Sequence, residues 1–345
     1  MIQWRVMKII LIIIYLMFTF VHLEINNDNS NININNNNDN NNELSNKFKR
    51  NKPAYSSIGS NALARSALVE RQEKLQYNCE DIITAKKINE RVLIPNDFRN
   101  ILVNDELELL YCYVPKVACT NWKRVLMIAT GKWSGNNPLE IPGNLTHAAG
   151  TFKRLSNFTM PEIERKLSYY DTLIVVRHPL ERLLSAYRNK FEAKDEIGSK
   201  YFQNRFGRKI IKNYRRNPTK ESLTNGDDVT FSEFVDFITD KNINGTSNEH
   251  WKPIYELCLP CDVNYNLISK YETLAEDAME ILERIGAGSL TFPMRASSNE
   301  PTAGKLEHYY SMLTYKQIKK LAKMYKMDLK LFEYSLEQVL GFSLA

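Results

Sequence analysis

Two stretches of the chain pair an apolar, strand-like pattern with a helix that follows after a short turn. Residues 106–113 read Glu-Leu-Glu-Leu-Leu-Tyr-Cys-Tyr, which is half alternating and half continuously apolar, as in a buried central strand. Residues 122–128 then have an apolar helical face. Residues 171–176 form a second, β-branched run, and Pro179 suits the first position of the helix after it. The two units predict a single α/β domain with a mostly parallel sheet and helices on both faces.

The turns between these strands and helices carry groups that bind anions. A tight turn from a strand into a helix directs backbone N–H groups and the positive end of the helix dipole at its occupant. In the first turn, residues 115–121, Lys116 adds a positive charge and Thr120 adds a hydroxyl donor. In the second, Arg177 offers a planar fork and Ser185 a hydroxyl. We therefore predict that the two turns bind two phosphate-like groups.

These motifs resemble those of the Golgi carbohydrate sulfotransferases of the chondroitin and dermatan 4-O-sulfotransferase and HNK-1 group. The resemblance continues through residues 248–251, 257–261 and 270–274, and it covers the chain from about residue 92 to the C-terminus. It implies the sulfotransferase fold, which is related to the P-loop nucleotide kinases, and 3′-phosphoadenylyl sulfate (PAPS) as the sulfuryl donor. In that family the first motif holds the 5′-phosphosulfate of the donor, and the second holds its 3′-phosphate. The donor-binding residues that the resemblance implies are Pro115, Lys116, Val117, Ala118, Cys119, Thr120, Asn121, Arg177, His178, Pro179, Leu180, Glu181, Arg182, Leu183, Leu184 and Ser185.

Within these motifs Lys116 is the expected catalytic cation, because it would stabilise the charge that develops on the leaving phosphate. His178 stands where the family often carries an acidic residue, so we expect its charge to tune phosphate affinity without being essential. The chain has no Gly-x-x-x-x-Gly-Lys-Ser/Thr loop and no obvious magnesium-binding aspartate, which argues against an ATP kinase. We expect no metal in the reaction, because the lysine and backbone donors supply the positive field.

A histidine is the expected general base, which removes the proton of the acceptor hydroxyl. We assign this role to His147, because the related family also carries a histidine in this region; a capping or solvent-facing histidine is the alternative. His250 competes for the same role. Residues 249–251 combine a carboxylate, an imidazole and an aromatic ring, so we predict acceptor binding there, ahead of a structural corner. The predicted acceptor-binding residues are Arg188, Lys190, Glu249, His250 and Trp251.

The resemblance implies O-4 of N-acetylgalactosamine in chondroitin or dermatan as the acceptor. The alternatives are HNK-1-type 3-O sulfation of glucuronic acid, sulfation of N-acetylgalactosamine on N-glycans, and a non-catalytic glycan-binding protein of the same fold. Seven cations and no carboxylate lie in residues 205–220, which favours attraction of an anionic glycan, although a solvated helix face has the same pattern. The net charge of +6 is modest, and nucleic acid is not an expected partner.

The amino end predicts targeting to a membrane. Residues 9–23 are an uninterrupted run of apolar residues with Tyr, Thr and His, preceded by Arg5 and Lys8. With residues 1–8 cytoplasmic, we expect this run to be the uncleaved signal anchor of a single-pass type II Golgi protein; a cleaved signal peptide is the alternative. Residues 24–62 are rich in asparagine and predict a disordered stem, so residues 63–345 would form the lumenal domain. Three glycosylation sequons, at Asn144, Asn157 and Asn244, agree with lumenal export.

The five cysteines predict one local disulfide. Cys258 and Cys261 lie in the segment Cys-Leu-Pro-Cys, and no second pair exists that would complete a zinc site. In a lumenal protein this pair is expected to form a disulfide. Cys119 is expected to be a small packed thiol, and pairing of Cys79 with Cys112 stays open.

Two later segments predict helices. In residues 227–239, Thr230 is placed as an N-cap with Glu233 at the capping-box position, and the aromatic residues that follow are expected to be core. Residues 315–331 predict a basic amphipathic helix that packs on the sheet.

Overall fold

The sheet has five strands and is mixed, not mostly parallel. In the computed structural model the strands are β1 (Ile101–Asn104), β2 (Leu109–Cys112), β3 (Lys153–Arg154), β4 (Asp171–Val176) and β5 (Leu267–Lys270), in the order β3-β1-β2-β4-β5. β2 pairs with β4, and β4 with β5, in parallel, with Tyr111 opposite Leu173 and Ile174 opposite Ile268. β1 pairs antiparallel with both β2 and β3.

The expectation of a mostly parallel sheet is wrong for one half of the sheet, because residues 105–108 form a turn. The predicted strand over residues 106–113 begins only at Leu109. Within the turn, Glu108 has a φ of 48°, and the Leu107 N–H donates to Asn104 Oδ1 at 3.0 Å. So short a connection makes a hairpin, whose strands run antiparallel. β2, β4 and β5 keep the parallel arrangement that the strand-turn-helix pattern predicts.

The structure describes residues 61–86, 92–193, 197–243, 246–294 and 302–341, all of which belong to one compact unit. The predicted cytoplasmic tail (1–8), the signal anchor (9–23), the stem up to residue 60 and the Asn244 sequon lie outside the described residues. Within the described ranges, no helix is long and apolar enough to cross a membrane.

Helices flank the sheet, and all but the 26-residue first helix are short. The α-helices are α1 (Asn61–Lys86), α2 (Cys119–Ala129), α3 (Gly143–Thr146), α4 (Met160–Tyr169), α5 (Pro179–Tyr187), α6 (Ile197–Phe202), α7 (Arg208–Tyr214), α8 (Lys220–Asn225), α9 (Phe231–Thr239), α10 (Ile254–Cys258), α11 (Pro260–Val263), α12 (Leu274–Arg284), α13 (Leu306–Ser311), α14 (Tyr315–Met324), α15 (Lys326–Leu331) and α16 (Glu337–Leu340). Turns of 3₁₀ helix cover Pro95–Phe98, Pro138–Glu140, Leu155–Asn157, Tyr271–Thr273 and Thr302–Lys305, and π-helical turns cover Arg188–Glu192 and Gln203–Gly207.

Two apolar clusters stabilise the domain. The first packs the sheet against helices that include α1 and α12. The second is helical and aromatic, and it buries three phenylalanines of α9, Phe231, Phe234 and Phe237. The predicted core role of these aromatic residues is therefore confirmed. The capping box is also present, because the Glu233 N–H donates to Thr230 Oγ1 at 3.2 Å and the Thr230 N–H donates to Glu233 Oε2 at 2.9 Å.

Residues 315–331 form two helices, α14 and α15, in place of the predicted single helix. Ile318 and Leu321 of α14 belong to the helical cluster, and only α15 reaches the sheet core, through Leu331. The break allows the buried Asp328 to accept from the backbone N–H groups of Ile254 and Tyr255, both at 2.8 Å. The prediction that the whole segment packs on the sheet is therefore wrong for its first half.

The predicted disulfide between Cys258 and Cys261 is wrong. Cys261 bonds to Cys79 of α1, and Cys258 bonds to Cys112 at the end of β2. Between α10 and α11 the chain changes direction at Leu259, which has a φ of 49°, and the two sulfur atoms bond to different neighbours. Cys119 is a buried free thiol, as predicted, and the open pairing of Cys79 with Cys112 is excluded.

We predict that loss of the Cys79–Cys261 disulfide lowers the free energy of unfolding. The bond joins residues 182 apart in sequence, and removal of a native disulfide typically costs about 2–5 kcal/mol. The double variant Cys79→Ser/Cys261→Ser should unfold at a lower denaturant concentration than the wild type under non-reducing conditions. Cys119→Ser, which touches neither bond, should shift the midpoint less. Recovery of a Cys258–Cys261 peptide in non-reducing mass mapping would contradict this pairing.

Candidate active site

A cleft of about 660 Å³ lies at the carboxyl ends of the parallel strands. Tyr113 and Pro115 line it after β2, Arg177 after β4 and Tyr271 after β5. Open α/β sheets bind their ligands at this edge. The cleft brings together most residues of the predicted site, namely Pro115, Lys116, Ala118, Cys119, Thr120, Asn121, His147, Arg177, Ser185, Lys190, Glu249 and His250.

The first predicted turn joins β2 to α2 and has an alternating backbone. Lys116 and Ala118 have left-handed φ values of 70° and 52°, whereas Val117 between them does not. Alternation of this kind points successive N–H groups into one concavity, which binds anions. Val117 is completely buried and anchors the turn in the core. Ala118 is the N-cap of α2 and offers no side-chain acceptor, so the first N–H groups of this helix suit an anionic ligand.

The second predicted turn faces the same cleft through Arg177 and Ser185. Arg177 lies against the first turn, because its Nη1 donates to the Lys116 carbonyl oxygen at 3.4 Å. Its Nε donates to Glu181 Oε2 at 3.2 Å, and its guanidinium lies 4.2 Å from the centre of the Tyr271 ring. The two anion-binding turns are therefore in direct contact, and a ligand with two anionic groups can reach both.

Several other residues of the second motif stabilise the fold and do not line the cleft. Leu180, Leu183 and Leu184 belong to the buried helical cluster. His178 caps α5, since its Nδ1 accepts from the Leu180 N–H at 3.2 Å while its Nε2 donates to the Ser335 carbonyl oxygen at 2.8 Å. Because Nδ1 accepts and Nε2 donates, this imidazole is neutral, and burial lowers its pKa in the same sense. The expectation that its charge tunes phosphate affinity is therefore wrong.

Arg182 is buried and stabilises the fold, whereas the resemblance implied that it contacts the sulfuryl donor. The residue is 1% exposed. Its Nε donates to the carbonyl oxygen of Pro115 at 3.0 Å, its Nη1 to that of Lys252 at 2.8 Å and its Nη2 to that of Glu249 at 2.7 Å. One side chain of α5 thus fixes the first turn and the segment that carries Glu249 and His250.

His147 has both ring nitrogens in hydrogen bonds. Its Nε2 lies 3.0 Å from Thr120 Oγ1, and its Nδ1 lies 3.2 Å from Lys123 Nζ. Because a protonated lysine can only donate, Nδ1 is the acceptor and Nε2 carries the proton that Thr120 accepts. Partial burial and the charges of Lys123, Lys190 and Arg124 lower the pKa of His147 to about 4. At neutral pH the side chain is therefore uncharged and the lone pair on Nδ1 is already used.

His250 has a different arrangement. Its Nδ1 lies 2.8 Å from Asn248 Oδ1, which also accepts from the backbone N–H of His250 at 3.0 Å. Since an amide oxygen only accepts, Nδ1 carries the proton and Nε2 keeps its lone pair. Burial and the charges of Lys190 and Lys116 lower the pKa of His250 to about 3. His250 is therefore a neutral imidazole with an unprotonated Nε2 in the wall of the cleft.

Trp251 does not form the predicted aromatic platform for a sugar. The side chain is 1% exposed, and its indole N–H donates to the Thr246 carbonyl oxygen at 2.6 Å. Its ring packs edge-to-face against Phe206 and Phe234, with centroids 5.3 and 5.4 Å apart. The expectation of acceptor binding is wrong here, because the indole completes the aromatic cluster of the core.

Arg188 and the described sequons lie outside the cleft. Arg188 Nε donates to Glu192 Oε2 at 3.2 Å, within the same helical turn, and Arg188 is absent from the cleft lining. Asn144 in α3 and Asn157 in the turn after β3 are both exposed.

Sequence reasoning missed seven lining residues: Tyr113, Asn189, Tyr271, Leu274, Phe292, Pro293 and Met294. Tyr271 follows β5, the third parallel strand. It would have been found by looking for ligand-binding residues directly after each parallel strand, as was done for β2 and β4. Phe292 and Pro293 carry no such signal. They are held by contacts distant in sequence, because the Phe292 ring lies 4.9 Å from that of Trp122 and Asn121 Nδ2 donates to the Pro293 carbonyl oxygen at 2.8 Å.

We predict that Ala118→Val destabilises the protein, because a β-branched residue is strongly disfavoured at a φ of 52°. A strained backbone position of this kind costs about 1–3 kcal/mol, which should appear as a lower free energy of unfolding in urea. Ala118→Gly is the matched control, since glycine adopts this φ without strain, and it should stay within about 1 kcal/mol of the wild type. Equal stability of the two variants would show that the left-handed turn is not maintained in solution.

Comparison with known proteins agrees with this geometry. Residues 99–335 match the model of the sulfotransferase family. The chain is 42% identical to carbohydrate sulfotransferase 11 of Mus musculus over 253 residues, which cover 72% of this chain and 71% of the relative. It is 42% identical to carbohydrate sulfotransferase 14 of Danio rerio over 240 residues, 69% of this chain and 63% of the relative. No solved structure matches the chain significantly. The chain therefore belongs to the sulfotransferase family, as a carbohydrate sulfotransferase.

Proposed function

We propose that the enzyme transfers a sulfuryl group from PAPS to O-4 of N-acetylgalactosamine in chondroitin or dermatan. The observation that carries the donor assignment is the contact between the two anion-binding turns, through the Arg177 hydrogen bond to the Lys116 carbonyl. When bound, the donor supplies an electrophilic sulfur and a phosphate leaving group. A nucleotide with anionic groups at both its 5′ and 3′ positions fits two turns of this kind better than one with a single anionic chain.

Lys116 is the residue to which we assign stabilisation of the leaving phosphate. It lies in the alternating turn, half-buried in the wall of the cleft, so its ammonium group acts where water is partly excluded. Preorganised cations and N–H groups in such a site stabilise developing negative charge without reorganisation. The hydroxyl of Thr120 and the first N–H groups of α2 would hold the 5′-phosphate, while Arg177 and Ser185 would hold the 3′-phosphate.

The hydrogen bonds favour His250 over His147 as the general base. A base must offer a lone pair to the acceptor hydroxyl, and His250 Nε2 has one because Asn248 accepts from Nδ1. In His147 the lone pair accepts from Lys123, and the opposite nitrogen donates to Thr120. We assign His147 to positioning Thr120, in the first turn, and Lys123, on α2.

The low pKa of His250 fits a base that gains strength when the donor binds. After burial, the charges of Lys190 and Lys116 are the largest causes of the low value. An anion in the cleft offsets these charges and raises the pKa of the imidazole towards its ordinary value. Glu249, whose Oε2 accepts from the Tyr113 hydroxyl at 3.4 Å, lies beside His250 and would orient the acceptor sugar.

The basic stretch 205–220 supports attraction of an anionic polymer. Arg215 stabilises the fold and does not add to this surface charge, because it forms ion pairs with Asp228 at 2.5 Å and with Glu233 at 2.8 Å. The exposed members of the stretch are Arg205, Arg208, Lys212, Arg216 and Lys220. Their surface would draw a glycosaminoglycan towards the enzyme through a long-range field that salt weakens.

A lumenal location is part of the proposal. The two disulfides favour an oxidising compartment such as the secretory pathway, and the exposed Asn144 and Asn157 are accessible for glycosylation. With the amino-terminal apolar run as an anchor, the enzyme would be a single-pass type II protein of the Golgi membrane.

We predict that Lys116→Ala lowers kcat about 10²–10³-fold, as expected for loss of one stabilising donor. The measurement uses sulfur-labelled PAPS, the full-length chain and a panel of acceptors: desulfated chondroitin, desulfated dermatan, heparosan and a glycan that ends in N-acetylgalactosamine. Lys316→Ala, an exposed lysine on α14, is the matched control and should keep wild-type turnover. Label entering only heparosan or the last glycan would replace the proposed acceptor. Donor binding without transfer to any acceptor would favour the glycan-binding alternative.

We predict that His250→Ala lowers kcat about 10²–10⁴-fold while the affinity for 3′,5′-ADP is retained, because only the proton acceptor is lost. His147→Ala should instead raise the KM for the donor more than it lowers kcat, since it disturbs Thr120 and Lys123. Single-turnover assays at saturating donor separate the two effects. A larger loss of kcat in His147→Ala than in His250→Ala would show that His147 is the general base.

A further inference from the structure

A second pocket of about 270 Å³ adjoins the cleft and shares two of its lining residues, Tyr113 and Glu249. Pockets that hold a whole ligand usually enclose about 300–1,000 Å³, so the second pocket suits one part of a larger ligand. Its other lining residues come from four segments and are Arg99, Asn100, Arg154, Ser247, Asn248, Lys252 and Leu257.

The pocket carries an excess of positive charge. Arg99 and Arg154 are both exposed, and neither has a carboxylate partner among the residues that the structure describes. Arg154 Nη1 donates only to the Arg99 carbonyl oxygen, at 3.1 Å, and its guanidinium lies 5.8 Å from the centre of the Tyr113 ring. Lys252 pairs with Glu256 at 3.4 Å, and Glu249 on the shared wall is the one lining carboxylate. The two arginines are therefore the lining cations without a carboxylate partner in the described structure, and Glu249 is the one acidic residue of the lining.

One of the lining residues, Asn100, also has a buried amide without a partner in the described structure. Asn100 is 4% exposed, and its Nδ2 donates to no group within the described part of the chain. Buried polar groups are nearly always hydrogen-bonded, and an exception calls for a ligand or a water. The nitrogen itself is closed to the pocket in this structure, so the anion-binding donors that the pocket exposes are the two guanidinium groups.

We propose that this pocket binds the anionic group on the sugar next to the acceptor sugar, a uronic acid carboxylate or a sulfate ester. The inference rests on the proposed function, since it assumes that the acceptor sugar lies against Glu249 and His250. The shared wall then puts the neighbouring sugar of the same chain beside Arg99 and Arg154. The planar fork of arginine matches a carboxylate or a sulfate through paired hydrogen bonds.

The pocket thereby selects anionic glycans over neutral ones. A neutral neighbour would leave the two guanidinium groups without the partner that an anion provides, whereas a uronate satisfies them. This preference arises from the difference in binding free energy between an anionic and a neutral oligosaccharide. It needs no contact with the acceptor sugar itself.

The test compares three oligosaccharides that differ only at the sugar next to N-acetylgalactosamine. The first is desulfated chondroitin, the second is its carboxyl-reduced form, and the third is the carboxyl-reduced form with a sulfate ester on the reduced sugar. The enzymes are the full-length wild type, Arg99→Ala/Arg154→Ala, and Arg165→Ala, an exposed arginine of α4 that lines neither pocket. Oligosaccharide affinity is measured by calorimetry with 3′,5′-ADP bound, and KM and kcat by label transfer.

We expect the double variant to raise KM and weaken binding of desulfated chondroitin about tenfold or more, with little change in kcat or in the KM for the donor. Arg165→Ala should behave as the wild type. The carboxyl-reduced oligosaccharide should bind the wild type and the double variant equally weakly. Restored affinity of the sulfated form would identify a sulfate ester as an accepted group, and its absence would restrict the pocket to carboxylates.

Equal affinity of the wild type and the double variant for desulfated chondroitin would overturn the proposal. Because affinity is measured apart from turnover, this outcome differs from failure of the proposed function, in which the wild type transfers no label to any acceptor. Arg99→Glu alone serves as a second variant if the double variant unfolds, since the Arg99 side chain forms no ion pair in the described structure. It should weaken binding of chondroitin more than that of the neutral oligosaccharide.

Discussion

The buried guanidinium of Arg182 is the interaction on which the geometry of the site depends. It donates to three carbonyl oxygens, of Pro115, Glu249 and Lys252, and so joins α5 to the turn of residues 115–121 and to the segment that carries Glu249 and His250. An ionised group at 1% exposure is stable only when its donors are satisfied, and burial lowers the pKa of this arginine. Those three carbonyls therefore have little freedom to move, and the relative positions of Lys116 and His250 are set by one side chain behind the cleft.

A disulfide and a packed side chain further stabilise the segment that carries Glu249 and His250. The Cys112–Cys258 disulfide joins the end of β2 to α10, just beyond the segment that carries Glu249 and His250. Trp251 fills the aromatic cluster beneath the same segment. This segment is thus held by a buried arginine, a disulfide and a packed indole, which fix the positions of Glu249 and His250 more firmly than their own loop does.

The sequence predicts the parts of the site that are local and fails on those that need distant partners. Lys116 and Arg177 follow apolar strands directly, so the strand-turn-helix pattern places both in the cleft. Arg182 and Trp251 look like site residues in the sequence, because an arginine in an anion-binding motif and a tryptophan beside a histidine have functional precedents. Their burial depends on neighbours 67 or more residues away for Arg182, and on a cluster assembled from many helices for Trp251. No spacing within the motif carries that information.

Positive charge has different roles on the two sides of the enzyme. Around the turn of residues 115–121, cations are oriented by the fold: Arg177 is held by Glu181 and the Lys116 carbonyl, and Lys123 by His147. At the second pocket, Arg99 and Arg154 lie at the surface without a carboxylate partner in the described structure. Oriented, partly buried groups recognise a ligand of fixed shape, whereas exposed charges attract a class of polymer and act more weakly in salt. This division is consistent with the proposed function, in which the donor is one nucleotide and the acceptor is a repetitive anionic glycan.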